Sequence, residues 1–339
     1  MEPFEMFLAA ARFEKTDYVP VAGAVTDFYM ETITPGLDGL SARDRLIRML
    51  EYGAEIFPEI PLIFVINPTP AIYPELIRRL REAAGGGPIL IDHIKHISIP
   101  DPETDPVNLA RLEEINYFIE HIPDDLKRKY GYCNGLIRFE NPFDTLCEVV
   151  GSSEWFAKTA TDSDFVEAAM ELFTEASVSG AEWLAGKIGK PTWTILAEDF
   201  PGYIKRASFE RFVAPYHRRI MGAFPDAVKL YHNDSTTAHL LEALPDCGMD
   251  IFHFGYETDV RAAKEAMRGR VSLMGNLAPM TVLARETPEV IRGHCRAILE
   301  AGAPGGGFIF STGGEVNPGT DPESVNLMVE CAKEFGGLI

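Results

Sequence analysis

Eight short β-rich runs, helical patterns between most of them, and polar residues trailing nearly every run predict a single (β/α)8 TIM barrel with an elaborated N-terminal half. The runs are residues 19–24, 62–66, 135–139, 192–197, 228–231, 250–254, 271–274 and 307–310. A further run, 89–91, competes for one of these places.

The connecting elements follow in order. Residues 85–88 (G-G-G-P) and 100–106 read as loops, and 109–130 reads as helix broken by Pro123. Ser163-Asp164 caps a long pattern to about residue 186, with Val166, Ala169, Met170, Phe173 and Ala176 at helical spacing. Ser208 caps 209–224. Thr236 or Thr237 opens the helix carrying Leu240, Leu241 and Leu244, and Asp259 opens 260–267. Thr287-Pro288 opens 289–301 with proline in the favoured first turn, and Asp321-Pro322 opens 323–335. No linker, repeat or low-complexity tract divides the chain, so residues 1–339 read as one domain.

Bulk composition narrows the function. The chain is 46% apolar and 24% charged, as expected of a soluble globular protein. Its formal charge is −20, with no basic cluster beyond pairs such as Arg218-Arg219, which argues against nucleic acid and anionic membrane surfaces as partners. Five widely spaced cysteines without a C-x-x-C predict reduced thiols. The N-terminus lacks a basic n-region and an apolar h-region, and no apolar run reaches membrane-spanning length; a cytoplasmic protein is expected.

The most informative stretch is V-K-L-Y-H-N-D-S, residues 228–235. Buried polar groups are costly unless paired, so His232, Asn233 and Asp234 belong at the strand's C-terminal mouth. Other runs end alike: Glu140-Asn141, Glu198-Asp199, Gly275-Asn276 and Ser311 to Gly314. In a closed barrel these endings share one rim of carboxylates, carboxamides and a histidine, which suits a metal ion or a neutral polar substrate. Asn67, Asn141 and Asn276 fit turns equally well, and Asp199 can simply begin a turn. His232 and Asp234, two residues apart on an extended strand, share a face and can meet one ion. Further ligands would come from Glu198, Asp199 or Glu315. His253 alternates within its strand and fits either face. No phosphate-binding or nucleophile-elbow motif is present.

Several segments resemble the uroporphyrinogen decarboxylase superfamily. They are A-A-R-F-E-K-T-D-Y-V-P-V, E-D-F-P-G-Y-I-K-R-A-S-F-E-R-F-V-A-P-Y-H, Y-H-N-D, G-M-D-I-F-H-F-G, R-V-S-L-M-G-N-L-A-P-M and G-G-G-F-I-F-S-T-G-G-E-V-N-P-G-T-D-P-E-S-V. The resemblance implies a (β/α)8 barrel. Its true decarboxylases carry M-R-Q-A-G-R, whose arginines hold substrate carboxylates; the matching region here reads V-P-V-A-G-A-V-T-D-F. Its corrinoid-linked methyltransferases bind zinc through H-x-C and a second Cys in S-x-G-C. His232 matches the His, Asp234 stands at the first Cys and Gly314 at the second. A harder N/O metal site, or none, follows from that exchange.

The expectation is therefore a methyltransferase component of a corrinoid (cobalamin)-dependent system, moving a methyl group between a small O- or N-methylated substrate, or a carrier, and a separate corrinoid protein. His232, Asp234 and Glu198 are its expected catalytic residues, with His232 and Asp234 as ligands of zinc or another divalent metal. Asn233, Asn276, Asn141, Asp199, Tyr231 and Ser311 are expected to bind substrate. A homodimer is a further expectation from the family. The alternatives are a lyase or non-redox decarboxylase of a small acid, using Arg138 or Lys205 as its cation, and a catalytically silent ligand-binding barrel.

Overall fold

Six parallel strands are hydrogen-bonded in chain order: β1 (Leu136–Arg138), β2 (Trp193–Ala197), β3 (Val228–Asn233), β4 (Ile251–Phe254), β5 (Ser272–Leu277) and β6 (Phe308–Thr312). This computed structural model describes residues 1–337 apart from Ala24 and Arg268. Ala24, the last residue of the first predicted run, and Leu338-Ile339 thus lie outside the described residues. Helices separate most strands and cover the outer face, as a parallel sheet requires.

The first two predicted runs do not form regular strands. Among the described residues 19–23 only Val21 makes a bridge, to Phe310, and 62–66 is largely turn and bend. Pro20, Pro61 and Pro68 fall in or beside these runs, and proline has no N–H for a ladder. Their backbones nonetheless border the sheet. Ala22 N donates to Phe310 O (3.0 Å), Phe310 N to Pro20 O (2.8 Å), Gly23 N to Pro61 O (3.2 Å) and Arg138 N to Pro68 O (2.8 Å). These irregular segments lie between β6 and β1, and the fold is TIM-barrel-like.

The later strands outlast their predicted ends. β3 runs to Asn233, β5 to Leu277 and β6 to Thr312, so His232, Asn233, Asn276 and Ser311 stand within strands. The 89–91 run instead meets the helix Ile91–His96. The pattern at 209–224 is two helices, Arg206–Phe212 and Ala214–Gly222, with proline in the first turn of the second. After β3, two 3-10 turns (Ala238–Leu240 and Leu244–Cys247) replace the expected helix. The long helix Ser163–Ile188 is capped by Asp162, one residue earlier than expected, whose side chain accepts from Phe165 N.

Strand alternation splits the core in two. Trp193, Ile195, Val228, Leu230, Ile251, Met274 and Ile309 form one cluster inside the barrel. Phe4 and Phe7 of the helix Pro3–Ala11 join it, with ring centroids 5.4 and 5.8 Å from Trp193, and fill the end where the strands begin. Burying each phenylalanine contributes about 1.5–3 kcal/mol. Leu196, Tyr231, Phe252, Leu273 and Phe310 face the surrounding helices. No helix among the described residues is long and apolar enough to cross a membrane.

Candidate active site

The inward parity of the strands decides which polar side chains meet. On β2 it runs Trp193, Ile195, Ala197 and continues to Asp199. On β3 it runs Val228, Leu230, His232 and continues to Asp234. The register sets Ala197 opposite His232 and His232 opposite His253. At this mouth Asp199, His232 and Asp234 each offer a ligand atom, all within 4.8 Å of one another. His232 Nε2 lies 3.8 Å from Asp199 Oδ1.

The surroundings fix this cluster. Asp234 N donates to Asp199 Oδ1 (3.0 Å), and Ser235 Oγ to Asp199 O (2.9 Å). Asp144, on the helix Pro142–Val150, accepts from Asp199 N (2.8 Å) and Phe200 N (3.0 Å). Gly255 packs so closely that a Cβ there would lie 2.1 Å from Asp234 O. Gly314 has φ +135°, and a Cβ on it would lie 3.2 Å from Asp234 Oδ2. Positions 234 and 314 are therefore spatial neighbours.

The proton arrangement of the histidines follows from their partners. His253 Nε2 lies 2.8 Å from Thr312 O, which only accepts, so Nε2 carries a proton. Burial, then the neighbouring His232, pushes His253 down to about 3, so its ring is neutral and its Nδ1 holds a lone pair. That lone pair faces His232 Nδ1 at 2.7 Å. His232 Nδ1 must therefore donate. Burial, then the positive charge of Arg138, pushes His232 down to about 4. Its Nε2 then presents a lone pair towards the two carboxylates.

A cation fits these donors. Burial, then the charge of Asp199, pushes Asp234 up to about 7, the mark of crowded anions that lack a counter-charge. Burial likewise raises Asp199. One neutral imidazole and two carboxylates make a borderline-to-hard donor set that suits zinc or another divalent ion.

Glu198, Tyr231 and Asn233 face away from the cluster, whereas Asn276 and Ser311 share the inward parity of Met274 and Ile309. Glu198 has the opposite parity, and its carboxylate lies outside the barrel wall. It accepts from Phe143 N (2.6 Å) and lies 2.7 Å from His217 Nε2, with both side chains fully buried. The expectation that Glu198 joins His232 is corrected by that one-residue phase. Tyr231 also faces outwards, donating to Glu198 O (3.3 Å). Asn233 Nδ2 contacts Tyr231 Oη (3.2 Å), and its Oδ1 accepts from Ser235 N (3.1 Å) and Oγ (2.6 Å), so it fastens the turn after β3. Asn276 Nδ2 donates to Gly255 O (3.2 Å) and Thr258 O (2.7 Å), clamping the loop after β4. Ser311 is buried, its Oγ without a hydrogen-bond partner.

A cleft of about 600 Å³ adjoins the cluster; its lining includes Asn141, Arg138, Glu140 and Phe64. The Phe64 ring centroid is 5.6 Å from that of His232 and 5.8 Å from that of His253, so this ring borders both cleft and cluster. Asn141 also accepts from Thr145 Oγ1 (3.3 Å). Glu140 accepts from Ile72 N (3.0 Å) and Tyr73 N (2.9 Å), yet burial pushes it up to about 8. Sequence reading leaves His253 undecided and misses Phe64 and Asp144. Aligning β3 with β4 would find His253; nothing local marks the other two.

Fold and site together define a class: TIM-barrel-like α/β proteins with an imidazole–carboxylate cluster at the C-terminal strand ends. Residues 80–335 match the family model for uroporphyrinogen decarboxylase (URO-D), and the chain belongs to that family. It is similar to a uroporphyrinogen decarboxylase of Methylococcus capsulatus, 42% identical over 95 residues, 28% of this chain and 27% of that protein. Another, from Pseudomonas putida strain GB-1, is 24% identical over 255 residues, 71% of this chain and 68% of that protein. With four of the curated uroporphyrinogen decarboxylases it matches, the shared region spans only 27–42% of their lengths. A solved methyltransferase from Methanosarcina mazei shares the fold with a TM-score of 0.71, at 17% identity over 99% of both chains.

Proposed function

We propose that this protein is the methyltransferase component of a corrinoid-dependent system, transferring a methyl group between a small O- or N-methylated substrate and a separate corrinoid protein. The observation that carries this reading is the free Nε2 lone pair of His232 beside Asp199 and Asp234, at the edge of a cleft. The shared fold with the Methanosarcina mazei methyltransferase supports it.

In this reading Asp199, His232 and Asp234 hold a zinc or other divalent ion. When bound, the ion supplies Lewis acidity that makes the methylated heteroatom a better leaving group. The chain's own residues do the rest. His253 holds the imidazole in one tautomer and orientation. Asp144 and Asn276 fix the loops on either side. Phe64 shields the histidines from bulk water. The electron pair for the new bond to the methyl carbon would come from a corrinoid supplied by the partner in its reduced Co(I) state, while the pair of the broken bond would stay on the substrate heteroatom. Tyr203, Tyr256 and Met280, 64%, 49% and 51% exposed, stand on the loops after β2, β4 and β5 at this same end, as a docking face for that partner needs.

The test is a spectroscopic assay with reduced cobalamin and a panel of methylated compounds. Methylcobalamin should form with the native protein and not with His232→Ala. Equal rates from the two proteins would exclude His232 from the reaction. One observation favours the runner-up, a decarboxylase of a small acid: Arg138 brings a cation to the cleft. Release of CO2 without cobalamin methylation would select that reading.

A further inference from the structure

We infer that the cleft takes a small monocarboxylate and that Arg138 grips its anionic end. Arg138 is the last residue of β1 and shares the inward parity of Leu136, so its side chain enters the barrel mouth. It is partly buried and lines the cleft. Its backbone N donates to Pro68 O, but among the described residues its guanidinium has no hydrogen-bonded or ion-paired partner. An arginine taken from water without a partner is costly, and its planar fork matches a carboxylate.

The other charges around the cleft are already answered or stand at its rim. Arg111 is paired with Glu114. Glu140 accepts two backbone N–H groups. Asp27 and Glu148 are exposed and make the entrance acidic, which disfavours polyanions and tolerates a single carboxylate. Ile66, Pro68 and Phe139 give apolar walls. Asp199 lies close enough to influence Arg138 electrostatically, but the two form no ion pair, so the guanidinium stays available. Arg138 pairs in register with Ile195 of β2, the strand that carries Ala197 opposite His232 and leads to Asp199. A ligand held at Arg138 therefore lies on the same side of the barrel mouth as Asp199, His232 and Asp234.

This deepens the methyl-transfer reading by making its substrate a methylated carboxylate; it rests on that reading for the ligand's being a substrate, and not for the binding. The test is isothermal titration of the full chain with two matched pairs: 4-methoxybenzoate against 4-methoxybenzamide, and methoxyacetate against 2-methoxyacetamide. At least one carboxylate should bind at least tenfold more tightly than its amide. Arg138→Gln should bring that ratio to within twofold, and Arg138→Lys should retain part of it, with thermal melting confirming that each variant folds. The inference is overturned if neither pair discriminates, or if Arg138→Gln discriminates as the native protein does. It is also overturned if Arg138→Gln strengthens zinc binding alone, since Arg138 would then only balance Asp199. Carboxylate preference without methylcobalamin formation would sink the methyl-transfer reading and leave this one standing.

Discussion

His232 and His253 meet through their Nδ1 atoms at 2.7 Å, and the carbonyl of Thr312 determines which of the two donates. A backbone oxygen on β6 thereby sets the tautomer of a ring on β3. If that relay orients a metal ligand, removing His253 costs affinity without removing a donor atom. His253→Leu should weaken zinc binding by about 10- to 100-fold, the usual effect of losing an outer hydrogen-bond partner. Competition against a chromophoric chelator measures it, and an unchanged affinity would refute the orienting role.

Asp199 and Glu198 are adjacent in sequence and face opposite sides of the barrel wall, so their variants should separate. Asp199→Asn should lose zinc binding and turnover while melting near the native temperature. Glu198→Ala should retain the metal and lose stability, by about 1–3 kcal/mol, because it leaves Phe143 N and His217 Nε2 buried without their partner. Urea denaturation alongside metal analysis checks both. The reverse assignment of effects would mean that the parity argument fails.

Glu140 gives the protein a distinct pH response. Its folded pKa, about 8, lies above the ordinary value of 4.5. The folded state thus holds this proton more tightly than the unfolded state. The contribution is complete below about pH 4.5 and is lost as pH rises through about 8. Glu140→Gln lacks it. The unfolding free energy of the native protein relative to Glu140→Gln should therefore fall by a few kcal/mol between about pH 5 and pH 8, since each tenfold drop in proton concentration across that range costs about 1.4 kcal/mol. Urea melts at the two pH values test this; a difference that grows with pH has the wrong sign.

Gly255 lets the loop after β4 pass close to Asp234. A methyl group there would overlap the Asp234 carbonyl, with no flexible side chain to yield. Gly255→Ala should cost about 1–3 kcal/mol, as overpacking does, and should weaken zinc binding by shifting Asp234. Gly186→Ala, on a helix and with open space around it, serves as the control. Equal behaviour of the two variants would show that the close approach is unimportant.

Much of this architecture is legible in the chain. Six of the eight predicted runs form strands, and helices stand at 260–267, 289–301 and 323–335 to within a residue or so. The runs at 19–24 and 62–66 fail as strands because prolines withhold ladder hydrogen bonds. Asp234 and His232 are legible as a pair because two residues at that spacing on one strand share a face. Asp144 is not, because its contact with Asp199 spans 55 residues of sequence.

The sequence by itself determined the alternation of strands and helices, the family, and the gathering of polar residues at the strand ends. Only the tertiary structure decided which of Glu198 and Asp199 faces the cluster, which histidine nitrogen keeps its lone pair, and that Arg138 lines the cleft with no hydrogen-bonded or ion-paired side-chain partner among the described residues. The reason is phase. A strand exposes alternate residues to opposite faces, so a boundary misplaced by one residue exchanges inside for outside. That phase is set by hydrogen bonds to neighbouring strands far away in the chain.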